Sequence, residues 1–177
     1  MAFTLRQAKR EDAPLLSILI KDSMRSYSYD SGIDPSILDS MHERVEDLVE
    51  KLKTHTCLCF FDVDNRPVGT ITLQIRDDVN HFSFSDTTKE YLAPYKKVLY
   101  ISRFAVADTL RGTGIGKELL DNAFLYGTEK GADIALLHTA IANKGRVEFY
   151  KNRGFELIDS EDKRGYERGL FAYTLLP

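Results

Sequence analysis

Polar and apolar residues alternate from Phe3 to Lys9, which predicts a first strand. Asp12 and then Pro14 supply a cap and a first-turn residue ahead of Leu15, Leu16, Ile18, Leu19 and Ile20, a helix start. Ser26 to Gly32 is polar and aromatic and reads as a loop. A second helix begins where Asp34 caps and Pro35 takes the first position, with Ile37, Leu38, Met41, Val45, Leu48, Val49 and Leu52 at helical spacing. Thr56 to Val63 and Pro67 to Ile75 are β-rich apolar runs joined by Asp64-Asn65-Arg66, which predicts an antiparallel hairpin with Asn65 in the left-handed turn position.

From Arg76 to Lys97 no period holds, so this segment reads as a long functional loop or short irregular helices. Val98 to Val106 is a near-continuous apolar strand, followed by a glycine loop and a helix from Ile115 to Lys130 closed by Gly131. Ile115, Leu119, Leu120, Ala123 and Phe124 make that helix's buried stripe. Ile134 to Ala140 is another buried strand, and Asn143 then caps a short helix carrying Val147, Phe149 and Tyr150 that stops at Gly154. Two last strands are predicted around Phe155 to Asp159 and Leu170 to Leu176. A hairpin combined with crossover helices requires a mixed sheet with helices on both faces.

The length of 177 residues suits one domain, 1–177, with a single core. A net charge of -3 offers no footprint for a phosphate backbone, so nucleic acid is not an expected partner. The opening residues show no basic region before an apolar stretch, and no apolar run approaches the roughly 20 residues of a spanning helix. A cytoplasmic protein without a membrane partner is therefore expected. His55, Cys57 and Cys59 fall on one face of a strand, yet no second cluster completes a tetrahedron, so small apolar roles are expected for the cysteines and no metal. Oligomeric state is open, a homodimer being the commonest assembly of small enzymes.

The strongest chemical signal is Arg111-Gly112-Thr113-Gly114-Ile115-Gly116-Lys117, between a buried strand and a helix start. Free backbone N–H groups and the helix dipole favour an anion there, and the glycines let the chain approach it closely. The flanking cations Arg111 and Lys117 suit a diphosphate. A P-loop reading fails, because Glu118 follows Lys117 and Arg111 stands where its first glycine belongs. A dinucleotide fingerprint fits poorly, because the third glycine comes one residue early.

These residues resemble the GNAT superfamily of acetyl-CoA-dependent N-acetyltransferases, whose signature is Arg or Gln, two residues, Gly, one residue, Gly or Ala. Phe104-Ala105-Val106 is similar to the family's Leu-Ala-Val at the end of the fourth strand, and Asn143, Tyr150 and Gly154-Phe155 resemble its second motif. The resemblance implies an α/β fold of the mixed α+β kind: a central, mostly antiparallel sheet of about seven strands flanked by about four helices. It implies that the fourth and fifth strands splay and that the backbone of Phe104, Ala105 and Val106 pairs with the pantetheine arm. It further implies that the loop holds the pyrophosphate, that Asn143 bonds the cofactor, and that Tyr150 sits by its sulfur as a proton donor. The partners it implies are acetyl-CoA and an acceptor of small-amine, polyamine, amino-acid or peptide type. A different acyl donor, or CoA binding without catalysis, would use the same motifs.

An amine attacks a thioester only when neutral, and a lysine-like amine has a pKa of about 10.4, so a base or desolvation is required. Val98 to Phe104 contains no carboxylate. Asp30, Asp77, Asp78, His81 and Glu90 lie in the segments expected to shape the acceptor site, Ser26 to Gly32 and Arg76 to Lys97, and none is singled out. Arg146 stands where the family often has a small residue.

Overall fold

The computed structural model describes residues 2–175, so the Leu176 end of the predicted last strand lies outside the described residues. Within these described residues seven strands form one sheet: β1 (Thr4–Gln7), β2 (Thr56–Phe61), β3 (Pro67–Arg76), β4 (Val98–Val106), β5 (Ile134–Ala140), β6 (Glu156–Glu161) and β7 (Arg168–Thr174). Their order is β1-β2-β3-β4-β5-β7-β6. Only β4 and β5 run parallel; every other neighbouring pair is antiparallel. The predicted hairpin is present, and Asn65 takes the left-handed turn at φ 59°.

Among the described residues six helices accompany the sheet: α1 (Ala13–Ser31), α2 (Asp39–His42), α3 (Val45–Thr54), α4 (Asp86–Leu92), α5 (Ile115–Glu129) and α6 (Lys144–Asn152). Helices cover both faces. Leu119, Leu120 and Ala123 of α5 pack on Ile71, Leu73 and Leu99 on one side, whereas Leu16 and Ile20 of α1 and Leu48 of α3 pack on Cys57, Cys59 and Phe61 on the other. Phe124 only partly joins the stripe expected of it. Cys57 and Cys59 are both fully buried in that second cluster, and His55 caps α3 rather than continuing the strand. Leu92 of α4 covers Val98, Ile134 and Leu136.

Two helical expectations are corrected. Ser26 to Gly32 is not a loop: α1 runs on to Ser31 and ends on Gly32 at φ 67°. Its buried face continues past Ile20 as Ser23, Tyr27 and Ser28, whose polar atoms hide it from a hydrophobic-polar pattern. Those atoms are satisfied on arrival, since the Ser28 hydroxyl donates to the Ile33 carbonyl and the Tyr27 hydroxyl accepts from the Ala140 N–H. The second correction is that the helix expected from Pro35 to Leu52 is three pieces, a 3-10 turn Pro35–Ile37, then α2, then α3. Leu38 and Glu43 are extended at the breaks. The breaks let one apolar series serve two sites, Leu38 packing beside Tyr27 and Ala140 while Leu48 packs beneath α1.

Arg6 on β1 grips Asp12 at the start of α1 with two bonds of 2.8 and 2.9 Å, and the Lys9 N–H adds a third at 2.7 Å. The Arg6 guanidinium holds the Asp12 carboxyl below the usual range against the opposing cost of burial. A depressed carboxylate stabilises the fold above its unfolded pKa of about 3.9, and that contribution is lost as pH falls through the folded value. Asp12→Asn is expected to cost about 1–3 kcal/mol at neutral pH and to shrink the loss below pH ~4. Urea unfolding across the acid range measures both.

Among the described residues no helix is long and apolar enough to cross a membrane.

Candidate functional site

The parallel strands β4 and β5 pair only over Val98 to Ile101 and Ile134 to Leu137. Beyond that, β4 continues along β3 to Val106 and β5 continues along β7 to Ala140, so the two strands part. A bulge in β4 lies where they separate. Thr72 pairs with Ser102 and Thr70 with Ala105, leaving Arg103 and Phe104 opposite Ile71 alone. Arg103 adopts φ 47°, a strained value for a side-chain-bearing residue, and its guanidinium is fixed by Glu43 at 3.1 and 3.2 Å. Glu43 is also bound by Lys51 of α3. The broken helix therefore supports the bulge.

Past the bulge the Ala107 N–H donates to the Val68 carbonyl at 2.9 Å, so by alternation the polar backbone groups of Val106 face away from β3. They open onto a cleft of about 510 Å³. Phe104, Val106, Gly112, Gly114, Gly116 and Lys117 line it on one side and Asn143, Arg146, Phe149 and Tyr150 on the other. Ala105 is instead buried against α1, Thr113 is exposed with its hydroxyl on the Leu110 carbonyl, and Ile115 packs into the core. Gly112 and Gly114 take φ 76° and 98°, which only glycine adopts without strain. The first-turn N–H groups of Ile115, Gly116 and Lys117 precede the first helical bond, from the Glu118 N–H to the Gly114 carbonyl. Arg111 is drawn to Asp108 at 2.8 Å and Asp30 at 4.0 Å, whereas Lys117 makes no ion pair among the described residues.

Asn143 is 3% exposed and its Oδ1 accepts from the Arg146 N–H at the head of α6, while its Nδ2 has no acceptor among the described residues. A buried donor left open beside a cleft is costly unless a ligand answers it. Tyr150, about two turns further along α6, is 4% exposed among Phe104, Phe149, Phe155 and Phe171. Burial pushes its phenol up, with Arg146 pulling the other way, so the hydroxyl keeps its proton at neutral pH. Arg146 donates to the Phe104 carbonyl at 3.0 Å and to Ser23 at 3.2 Å and lies 5.0 Å over the Tyr27 ring. It thereby occupies one of the backbone acceptors that β4 would otherwise offer in the cleft.

A smaller pocket of about 160 Å³ lies on the far side of the splay and shares Tyr27, Phe104, Arg146 and Tyr150 with the first. Its floor carries Tyr100 and His138, bonded at 2.6 Å from hydroxyl to Nδ1. Burial, followed by the charges of Arg168 and Arg164, lowers His138 to about 3, so the ring is neutral. Of the acidic and histidine residues expected to shape an acceptor site, Asp30 lines the larger cleft, while Asp77, Asp78, His81 and Glu90 are exposed and line neither. Arg76 to Lys97 contains α4 and a 3-10 turn at Asn80–Phe82, with Phe82 stacked behind Tyr100 at 4.5 Å. Tyr27, from the Ser26 to Gly32 segment expected to shape the acceptor site, lines both pockets, whereas sequence reasoning missed Tyr100, Arg103, His138, Arg164 and Arg168. The parallel register that brings Tyr100 beside β5 leaves no local trace.

The sequence pattern of the Acetyltransferase (GNAT) family matches residues 19–155. The chain is 32% identical over 107 residues to an uncharacterized N-acetyltransferase of Methanocaldococcus jannaschii, covering 60% of this chain and 41% of that protein. It is 33% identical over 66 residues to a probable N-acetyltransferase, san, of Drosophila melanogaster, covering 37% of this chain and 36% of that protein. The chain thus spans well under half the length of these curated relatives. In fold it is similar to a PaiA N-acetyltransferase from Thermoplasma acidophilum crystallised with coenzyme A, with TM-score 0.74 and 18% identity over 98% of this chain and 99% of that one. An Arabidopsis thaliana NAA60 in complex with a bisubstrate analogue gives TM-score 0.72 at 15% identity, covering 98% of each chain. With the glycine loop, the splayed strands and the match over residues 19–155, the chain belongs to the acetyltransferase (GNAT) family.

Proposed function

We propose that this chain, as one domain, is an acetyl-CoA-dependent N-acetyltransferase that moves the acetyl group directly from the thioester to a primary amine. The observation that carries the reading is the junction of two pockets at Tyr150, one running along the glycine loop and the other across the splay. The residues fit the cosubstrate: the open Nδ2 of Asn143 and the outward backbone of Val106 offer partners to an amide-bearing arm, and the loop N–H groups with Lys117 offer partners to a diphosphate. The resident chemistry supplied by acetyl-CoA is an activated acyl thioester.

This chain's own groups do the remainder. The amine nitrogen forms the amide bond as the C–S bond breaks, the nitrogen gives up one proton, and the sulfur accepts one. Tyr150, protonated at neutral pH, donates to the leaving sulfur, whose thiol pKa is about 8.5. Arg146 steadies Phe104 on the bulged strand, and the walls of Phe104, Phe149 and Tyr150 keep water from the thioester. A cytoplasmic location, where acetyl-CoA is available, is part of the same reading, and a net charge of -3 argues for no nucleic-acid partner.

Calorimetric titration with acetyl-CoA, CoA, ATP and NAD in parallel, followed by thiol release across an amine panel, tests the proposal. Micromolar binding restricted to acetyl-CoA and CoA with amine-dependent thiol release is expected. Absence of CoA binding would overturn it.

A further inference from the structure

Arg103, Arg146, Arg164 and Arg168 all line the smaller pocket, against one lining carboxylate, Asp39. The nearby carboxylates are already engaged. Glu43 is shared by Arg103 and Lys51, Asp39 pairs with Arg164, and Glu161 pairs with Arg168 at 2.6 Å. Arg146 has no carboxylate partner among the described residues, being bound to the Phe104 carbonyl and Ser23. Two buried polar atoms of lining residues, Arg168 Nε and His138 Nε2, have no partner among the described residues. A guanidinium N–H can only donate, so Arg168 Nε is a buried donor awaiting an acceptor. Buried donors and surplus positive charge on one wall select against a polycation and for an anion.

Resting on the transferase reading above, we infer that the acceptor is a small amine that also carries a carboxylate, of the amino-acid type, with the carboxylate held by Arg168 and Arg164 and the amine presented toward Tyr150. This arrangement also answers the missing base on β4. Like charge disfavours the protonated form of an ammonium placed beside guanidiniums, so the pocket itself raises the neutral fraction of the amine, while the carboxylate supplies the attraction that keeps the acceptor bound. A polyamine has the first effect without the second and is repelled.

The test measures thiol release at saturating acetyl-CoA with amino acids, the corresponding amino-acid amides, and spermidine, for the wild type, Arg168→Gln and Arg164→Gln. Wild type is expected to favour a free carboxylate over its amide by about tenfold to a hundredfold in kcat/KM, the range of a charge-assisted bond, with spermidine poorer still. Arg168→Gln should raise KM for the carboxylate acceptor and narrow the preference over the amide while leaving acetyl-CoA affinity intact. Because Arg168 is 15% exposed in its side chain and pairs with Glu161, its loss also strains folding; Arg164, at 46%, gives the same readout from a more exposed position. Equal or better turnover of amides or spermidine, or a preference unchanged in both variants, would overturn the inference while leaving the transferase reading standing. Failure to bind acetyl-CoA would instead remove the transferase reading and this inference with it.

Discussion

Gly114→Asp is expected to remove micromolar acetyl-CoA affinity while the protein remains folded. Gly114 sits at φ 98° and ψ -11° at the entrance to α5, and a Cβ built there meets no atom within 4 Å. The free protein therefore pays only the left-handed strain, about 1–2 kcal/mol, with no clash. The ligand meets far more. A carboxylate placed at the helix N-terminus occupies the positive end of the dipole, competes for its N–H groups and repels a diphosphate brought to the same place. A loss of about a hundredfold or more in affinity is expected, against a fall of a few degrees in Tm. Gly114→Ala shares the strain and lacks the charge, so it should lose much less. Affinity for Gly114→Asp within about threefold of the wild type would show that the diphosphate binds elsewhere.

Tyr150→Phe should lower turnover by about a hundredfold or more and change the acetyl-CoA dissociation constant by less than about threefold. The ring is wedged among Phe104, Phe149, Phe155 and Phe171, contacts that phenylalanine keeps, so the substitution removes only the hydroxyl. Burial holds the phenol above its ordinary 10.0. A proton donor with a raised pKa stays competent as pH rises, so the wild-type rate should show no alkaline decline from this group below pH ~10. Single-turnover thiol release separates the chemical step from cofactor binding. Unchanged single-turnover rates in the variant would take Tyr150 out of catalysis and leave it as a core aromatic.

The loop from Arg111 to Lys117 and the cap at Asn143 were legible because each depends on short-range rules. Glycine at positive φ, as at Gly112 and Gly114, and an Asx side chain bonding the third N–H of its helix, as at Asn143 and Arg146, are settled within a few residues. The two errors in helix boundaries have a common origin. Tyr27 and Ser28 are buried with polar atoms whose partners, the Ala140 N–H and the Ile33 carbonyl, a hydrophobic-polar pattern does not see. Leu38 and Leu48 share helical spacing but pack into different clusters, and the extended residues between them are dictated by those destinations.

By itself the sequence determined the order of the strands and of the main helices, the hairpin turn at Asn65, the glycine loop at the head of α5 and the resemblance to the family, all features carried by local backbone preference and residue spacing. Only the tertiary structure decided where β4 leaves β5, which side of that opening Arg146 fills, and that Arg103, Arg164 and Arg168 gather with His138 at one pocket. Arg103, His138 and the Arg164 and Arg168 pair come from three well-separated segments of the chain, and charge carries no information about partners until the sheet register and the bulge at Arg103 bring them to one pocket.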